Sequence, residues 1–139
     1  ESDLDDNLLP RFVSERQRFE ISNSLVEAEE ISHRLVKNVL RYADMQEAVS
    51  IRLGLREIII NAIEHGNLAV TFEDKTRAQQ EGDYLQFLQA RCQRPEYRGR
   101  TVHIVYSLNP SRVIYRISDQ GSGFDYTALL KEIGEIEKK

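Results

Sequence analysis

The stretch EIIINAIEHG, Glu57 to Gly66, decides the fold of this chain. On a helix with 3.6 residues per turn, Glu57, Asn61 and His65 follow one another at four-residue steps, each rotated by about 40°. The three side chains therefore form a single polar ridge beside an apolar stripe. By itself, such a ridge is typical of the solvated edge of an amphipathic helix.

A second polar cluster, DQGSGF from Asp119 to Phe124, follows a predicted strand. Asp119 stands at the exit of that strand, where a buried carboxylate needs a hydrogen-bond donor such as an adenine amine. Gly121 and Gly123 let the backbone pass close to a flat base or a phosphate. Alone, this cluster is also typical of a turn after a strand, but the two clusters in this order predict an ATP site.

Composition restricts the class of protein. The chain has 139 residues, of which 40% are hydrophobic and 30% charged, as expected for one globular domain. A net charge of −4 argues against nucleic acid as a partner, because nucleic-acid-binding domains are normally basic. No apolar run is long enough to span a membrane, and the single cysteine, Cys92, forms no internal disulfide. We therefore expect a cytoplasmic protein.

A strand and a helix are predicted first along the chain. Phe19 and Ile21 alternate with polar neighbours, which indicates a short strand. Ser24 and Glu27 have the spacing of a capping box at the start of a helix. That helix has one apolar stripe at steps of three and four: Ala28, Ile31, Leu35, Val39 and Tyr42.

The second predicted helix carries the polar ridge. Asp44 and Glu47 form the capping signature at its start. Gly66 and Asn67 are predicted to end it, because both residue types tolerate a left-handed backbone. Its predicted core face consists of Ala48, Ile51, Leu55, Ile58 and Ala62.

Residues 69–100 form a polar segment in which two helices are predicted, at Phe72 to Gln80 and at Asp83 to Gln93. Gly82 separates these helices. The segment contains five arginines, which we interpret as belonging to solvated helix faces: Arg77, Arg91, Arg94, Arg98 and Arg100. A segment of this length is too long for a passive connection, so we expect it to contact a partner or to cover the site.

Two strands are predicted after this segment, at Thr101 to Leu108 and at Arg112 to Ser118. The turn-forming residues between them predict a hairpin. Alternating apolar residues suit a sheet that is covered by helices on one side. Leu129 to Lys139 is predicted to be a last helical stretch.

The two clusters together resemble the GHKL ATPase superfamily, whose members share the Bergerat nucleotide-binding fold. Glu57 to Gly66 is similar to the family's asparagine box, and Asp119 to Phe124 is similar to its first glycine box. The form Glu-x-x-x-Asn-Ala-x-x-His-Gly looks most like that of the bacterial anti-sigma factor and switch-protein serine kinases. The resemblance covers roughly residues 18–125, apart from 69–100.

The resemblance implies a role for each site residue. Asn61 would coordinate the Mg²⁺ that bridges the ATP phosphates, and Asp119 would accept from the adenine amine. Gly121 and Gly123 would let the nucleotide approach. Glu57 would be the general base, directed at a serine hydroxyl of a partner protein. His65 would face phosphate, or would stabilise the end of its own helix, where a cation is favoured.

The implied fold is α+β, a two-layer α/β sandwich of Bergerat type. Its mixed, mostly antiparallel sheet would be covered on one face by helices. Residues 1–17 would form a tail and residues 18–139 a single domain, with a helical insertion at about 69–100. The implied function is phosphorylation of a serine or threonine on an antagonist protein in bacterial partner-switching signalling. A sigma factor or another target would be the second partner, and homodimerisation is a habit of the family.

The chain departs from the family after Phe124. A second glycine box and a lid should follow there and wrap the phosphates, but residues 125–139 contain only Gly134. The carboxyl-terminal part therefore looks incomplete when compared with the family. Two alternatives remain open: a non-catalytic protein-interaction module that has lost ATP binding, and a histidine-kinase-like ATPase domain of a larger signalling protein.

Overall fold

The chain has an α+β fold in its computed structural model, which describes residues 7–121 and the backbone of residues 125–132. The strands are β1 (Glu15–Ile21), β2 (Val102–Asn109), β3 (Arg112–Ser118) and β4 (Asp125–Glu132). The α-helices are α1 (Leu25–Arg34), α2 (Met45–Asn61), α3 (Phe72–Glu81) and α4 (Tyr84–Gln93). Short 3₁₀ turns occupy Leu9–Arg11 and Val39–Arg41, and α2 continues into a π-helical turn, Ala62–Asn67, called the π turn below.

The strands form one sheet in the order β1-β2-β3-β4, and each neighbouring pair is antiparallel. The predicted hairpin of β2 and β3 is confirmed, with Ile104 opposite Ile117. The predicted first strand is also confirmed, although it begins at Glu15, inside the predicted tail. Glu15 is integrated there, because its carboxylate accepts hydrogen bonds from Asn38 at 2.7 Å and from Tyr106 at 2.6 Å.

The predicted helix at Leu129 to Lys139 is wrong where the structure describes it. Residues up to Glu132 belong to β4, in which Leu129 lies opposite Ile114 of β3. An edge strand exposes unpaired amides and carbonyls, and the pairing of β4 with β3 satisfies them. This pairing outweighs a weak helical pattern in the sequence. Residues 133–139 lie outside the described part.

The core lies between one face of the sheet and the helices α1 and α2. Alternate residues of β2 and β3 are fully buried on this face: Val102, Ile104, Tyr106, Leu108, Val113, Tyr115 and Ile117. The opposite face carries the exposed arginines Arg16, Arg18 and Arg116. One sheet face therefore drives folding, and the other keeps its charge in water.

Ser24 and Asp44 cap the first two helices as predicted, but of these two only α2 has the complete capping box, because Glu27 accepts from the amide of Ser22 and not from that of Ser24. Ser24 Oγ accepts from the amide of Glu27 at 3.2 Å, and the Glu27 carboxylate accepts from the amide of Ser22 at 2.9 Å. Asp44 and Glu47 form a complete capping box at the start of α2. These contacts satisfy amides that have no partner within the helix, each contributing about 1 kcal/mol.

The buried stripe of α2 differs from the prediction at one position. Ile59 is fully buried, whereas the predicted core residue Ile58 is only partly buried. The buried residues follow four-residue steps from Ile51 through Leu55 to Ile59, so the stripe drifts around the helix. This drift turns the end of α2 towards Ile63 in the π turn, which is also fully buried. No helix within the described residues is both long and apolar enough to cross a membrane.

Two buried tyrosines link the sheet to the helical layer. Tyr115 donates from its hydroxyl to the carbonyl of Leu35 at 2.7 Å, and its ring stacks on Tyr106 with centroids 5.6 Å apart. Burial raises the pKa of Tyr115 above its ordinary value. For Tyr106, burial and the nearby Glu15 carboxylate raise the pKa in the same direction. The folded state thus holds both phenolic protons more tightly than the unfolded chain does.

We expect stability to fall at alkaline pH through these two groups. The pKa of a tyrosine in the unfolded chain is about 10, and here the folded-state pKa is higher. Such a tyrosine stabilises the folded state below pH 10, and this stabilisation is lost as the pH rises through the folded-state pKa. Each tyrosine contributes a slope of up to about 1.4 kcal/mol per pH unit. Urea unfolding between pH 8 and pH 11.5 measures it. Tyr115→Phe should decline less steeply than the wild type, and an identical pH dependence would contradict this assignment.

Candidate functional site

The site is built around the π turn at the end of α2. This turn has the hydrogen bond of a π-helix, between residues five positions apart: the amide of Leu68 donates to the carbonyl of Ile63 at 3.0 Å. The predicted left-handed cap at Gly66 and Asn67 is wrong, because the left-handed residue is Ala69, with φ of 53°. Both predicted cap residues have other roles, since Gly66 meets the second cluster and Asn67 turns its side chain into the protein.

Asn67 joins four segments of the chain through one buried amide. Its Nδ2 donates to Asn23 Oδ1 at 2.8 Å and to the carbonyl of Thr101 at 3.0 Å. Its Oδ1 accepts from the backbone amide of Gln120 at 2.6 Å. The side chain is fully buried, so these partners replace water completely. Asn67 therefore fixes the second cluster against the end of α2.

The glycines of the two clusters pack directly against each other. A Cβ added at Gly66 would overlap the carboxylate of Asp119, and one added at Gly121 would overlap the carbonyl of Gly66. Only glycine permits this close approach of two backbones. The fold thus brings Gly66 of the first cluster together with Asp119 and Gly121 of the second cluster.

Asp119 presents an unused acceptor at this place. Its Oδ1 accepts from the amide of Gly121 at 2.9 Å, which holds the carboxylate at the mouth of the loop. Its Oδ2 is buried and has no hydrogen-bond partner among the described residues. A buried carboxylate oxygen without a donor is costly, by roughly 1–3 kcal/mol or more for a charged group. Such an atom is suited to a ligand that supplies an N–H.

The polar ridge of α2 leads towards this acceptor. Asn61 is the last residue of α2 and is partly buried, and Glu57 lies one turn earlier and is exposed. No hydrogen bond holds the Asn61 amide among the described residues, so that side chain is free to bind a ligand. Predicted site residue Gly123 lies outside the described part of the chain.

His65 is held on the side of the insertion. Its Nδ1 is hydrogen-bonded to the carbonyl of Val70, and its ring lies 4.9 Å from that of Phe72, measured between centroids. These contacts occupy one ring nitrogen and one ring face. The Nε2 atom is 4.0 Å from the Glu64 carboxylate. His65 therefore connects the ridge to the start of α3.

Three charged side chains anchor the insertion to the π turn. Glu64 in the π turn is 1% exposed, and Lys75 of α3 pairs with it at 2.8 Å. Arg91 of α4 donates to the carbonyls of Leu68 and Ala69 at 2.9 and 3.2 Å. Carbonyls at a helix end have no intrahelical partner, and Arg91 supplies the missing donors. Removing only one partner of such a pair strongly destabilises a protein, because the other charge is left buried without a counter-charge.

The interpretation of the arginines as solvated is therefore corrected for two of them. Arg91 is only 8% exposed, and its guanidinium lies over the rings of Phe87 and Tyr97 at 5.0 and 5.8 Å from their centroids. Arg100 donates to the carbonyl of Asn67 at 2.7 Å. Unsatisfied carbonyls attract both side chains, and carbonyl positions are invisible in a charge pattern. Arg94 and Arg98 are exposed, as predicted.

The surroundings of the anchors shift several pKa values. Burial, and then the Glu64 carboxylate, raise the pKa of Tyr84. Hydrogen bonds from the Thr71 amide and hydroxyl lower the pKa of Asp74, and the neighbouring Arg91 and Arg77 lower it further. Burial raises the pKa of the Cys92 thiol, which disfavours the reactive thiolate form.

Sequence reasoning missed Asn67, Glu64 and Arg91 as organising residues. The one signal available was that Glu64 and Asn67 lie beside Ile63 and Leu68, in a stretch that is otherwise apolar.

A comparison of this chain with protein-family models, curated proteins and solved structures finds no match. The geometry of the site therefore carries the functional argument.

We expect Asn67→Ala to lower the free energy of unfolding by about 3 kcal/mol, because it leaves the Gln120 amide and the Thr101 carbonyl without partners. Urea unfolding measures this. Gln46→Ala, at an exposed position of α2, is the control and should change stability by less than about 0.5 kcal/mol. Equal effects of the two substitutions would show that the buried amide is not a structural junction.

We expect Arg91→Ala to release the base of the insertion. Loss of the donors to Leu68 and Ala69 should lower the free energy of unfolding by roughly 2–4 kcal/mol. Hydrogen exchange should also accelerate at residues 68–72. Arg94→Ala, three residues later and exposed, should leave both measurements unchanged. Unaltered exchange in Arg91→Ala would refute the anchoring role.

Proposed function

We propose that the chain binds ATP with Mg²⁺ at the junction of the π turn and the loop after β3, as in a Bergerat-type two-layer sandwich. The observation that carries this proposal is the buried, unpartnered Oδ2 of Asp119. An adenine amine is a donor of the right kind for this acceptor. Gly66 and Gly121 pack against Asp119 and against each other without a Cβ, so the acceptor and the loop backbone lie close together.

The other predicted site residues that the structure describes have positions compatible with this proposal. Asn61 would contribute its amide oxygen to Mg²⁺, whose positive charge would offset the negative charge of the phosphates. Mg²⁺ sites commonly use few protein ligands. Gly121 would flank the base, and Gly123, which lies outside the described residues, would follow two positions later in the sequence. His65 would remain near the phosphates with only Nε2 available, since Nδ1 is bonded to Val70.

We further propose that the reaction is transfer of the γ-phosphate to a serine of a protein substrate. Glu57 is exposed on α2, one turn before Asn61, so a hydroxyl carried by another protein can reach its carboxylate. Glu57 would accept the hydroxyl proton while the serine oxygen bonds to phosphorus and ADP leaves. The proposed setting is the bacterial cytoplasm, with an antagonist protein as substrate and a sigma factor or another target as the alternate partner.

One observation favours the second candidate function, an interaction module without catalysis. β4 begins at Asp125, so only six residues separate it from the end of β3 at Ser118. The resemblance implies a lid and a second glycine box after Phe124, and here a strand paired with β3 occupies that place. If no other segment covers the phosphates, they would bind weakly, and the site would recognise the base alone.

Calorimetry with Mg-ATP tests the proposal. We expect the wild type to bind Mg-ATP, and Asp119→Asn to weaken binding at least tenfold, because the substituted amide presents a donor to the adenine amine. Asn61→Ala should weaken Mg-ATP binding more than binding of ATP without metal. Glu57→Gln should bind ATP like the wild type but fail to transfer phosphate.

The comparison of variants separates the two candidates. Asp125→Asn lies past the loop and serves as the matched control for Asp119→Asn. If the wild type shows no heat and no protection by Mg-ATP in thermal unfolding, the nucleotide proposal is wrong and the interaction module stands. If ATP binds and no serine-containing substrate is phosphorylated, the kinase step is wrong and the nucleotide site stands.

A further inference from the structure

The outer face of α2 carries a second apolar stripe that the core does not use. Met45, Val49 and Leu53 follow at four-residue steps and are 65%, 38% and 51% exposed. Leu40, in the preceding 3₁₀ turn, is 42% exposed. Scattered exposed apolar residues are ordinary, but an aligned set on one face of a helix is typical of a docking surface.

The first part of this stripe lines a groove between α1 and α2, called the α1–α2 groove here. Its volume is about 470 Å³. The apolar lining residues are Val36, Leu40, Met45, Ala48 and Val49. Val36 and Ala48 are buried, so they form the floor, while the exposed residues form the sides. A groove of this volume and composition suits a row of apolar side chains from a partner.

The remaining lining residues all have basic side chains: His33, Arg34, Lys37 and Arg52. Glu29 contacts His33 at 3.0 Å, Arg52 at 3.5 Å and Arg56 at 2.6 Å, so it offsets the charge at one end of the groove and leaves Arg34 and Lys37 as its main positive charges. No carboxylate within the described residues forms an ion pair with Arg34 or Lys37. The chain as a whole has a net charge of −4, so the positive groove is a local concentration of charge.

We propose that the α1–α2 groove docks an acidic amphipathic helix of a partner protein. Apolar side chains at positions i, i+4 and i+7 of that helix enter the groove, and its carboxylates pair with Arg34 and Lys37. A second copy of this chain is disfavoured, because two positive grooves repel each other. A partner helix is favoured over a membrane surface because the groove has a buried floor between exposed sides, which inserted side chains can fill.

The docking surface is separate from the proposed nucleotide site. Val49 and Gly66 are seventeen residues apart on one continuous helical rod, which places them about 25 Å apart along its axis. The inference therefore does not rest on nucleotide binding. It also places the partner at the opposite end of α2 from the insertion.

The test uses a designed probe and fluorescence anisotropy. The probe is a labelled eighteen-residue helical peptide with leucines at i, i+4, i+7 and i+11 and glutamates on the flanking positions. We expect the intact chain to bind it with a Kd of about 10–100 µM at low salt, weakening as salt rises. The same peptide with lysine in place of glutamate should bind at least tenfold more weakly.

Paired variants locate the site. Arg34→Glu with Lys37→Glu should weaken binding at least tenfold, and Met45→Ser with Val49→Ser should do the same. Arg98→Glu with Leu85→Ser is the matched control on the insertion, where Leu85 is 65% exposed, as Met45 is. The control should bind like the wild type. Thermal unfolding of each variant confirms that loss of binding is not loss of fold.

Several outcomes would overturn the proposal. These are no binding of the acidic peptide by the wild type at 1 mM probe, equal affinity for the lysine peptide, or equal weakening by the control variant. A wild-type dimer in sedimentation that Met45→Ser with Val49→Ser dissociates would assign the groove to a second copy instead. Binding to anionic vesicles that the same variant abolishes, without peptide binding, would assign it to lipid.

Discussion

The buried amide of Asn67 is the constraint on which the rest of the structure depends. It hydrogen-bonds to residues 44, 34 and 53 positions away, in the loop before α1, just before β2 and just after β3. A backbone group without water must find a partner, and here one side chain satisfies groups from three segments. The wide π turn gives this side chain its inward direction. The π turn at the end of α2 therefore helps to bring the two polar clusters together, because it carries the Asn67 side chain that binds the second cluster.

Much of the fold could be predicted from local pattern because its causes are local. The caps at Ser24 and Asp44, the hairpin of β2 and β3, and the separation of α3 from α4 by Gly82 each depend on a few neighbouring residues. Gly82 adopts the left-handed backbone that ends α3, with φ of 77°. The contact of Gly66 with Asp119, by contrast, joins two clusters that lie more than fifty residues apart, and only the structure shows it.

The remaining features could not be predicted because their causes lie far away in sequence. Arginine is usually a surface residue, and the burial of Arg91 is explained by its hydrogen bonds to the carbonyls of Leu68 and Ala69. Similarly, β4 forms because β3 offers an edge, which no pattern within residues 125–132 reveals. Periodicity describes which face of an element is apolar. It carries no information about which distant polar group needs a partner.

The two ends of the insertion differ from its tip in what they will tolerate. At the base, Lys75 neutralises a carboxylate that is almost fully buried, and Arg91 occupies the carbonyls beside the π turn. Excision of α3 and α4 would leave that charge and those carbonyls inside the protein without partners. At the tip, Gly82 is exposed and makes no tight contact. A protein engineer should thus be able to lengthen the segment or graft a reporter at Gly82, but not to shorten it from the base.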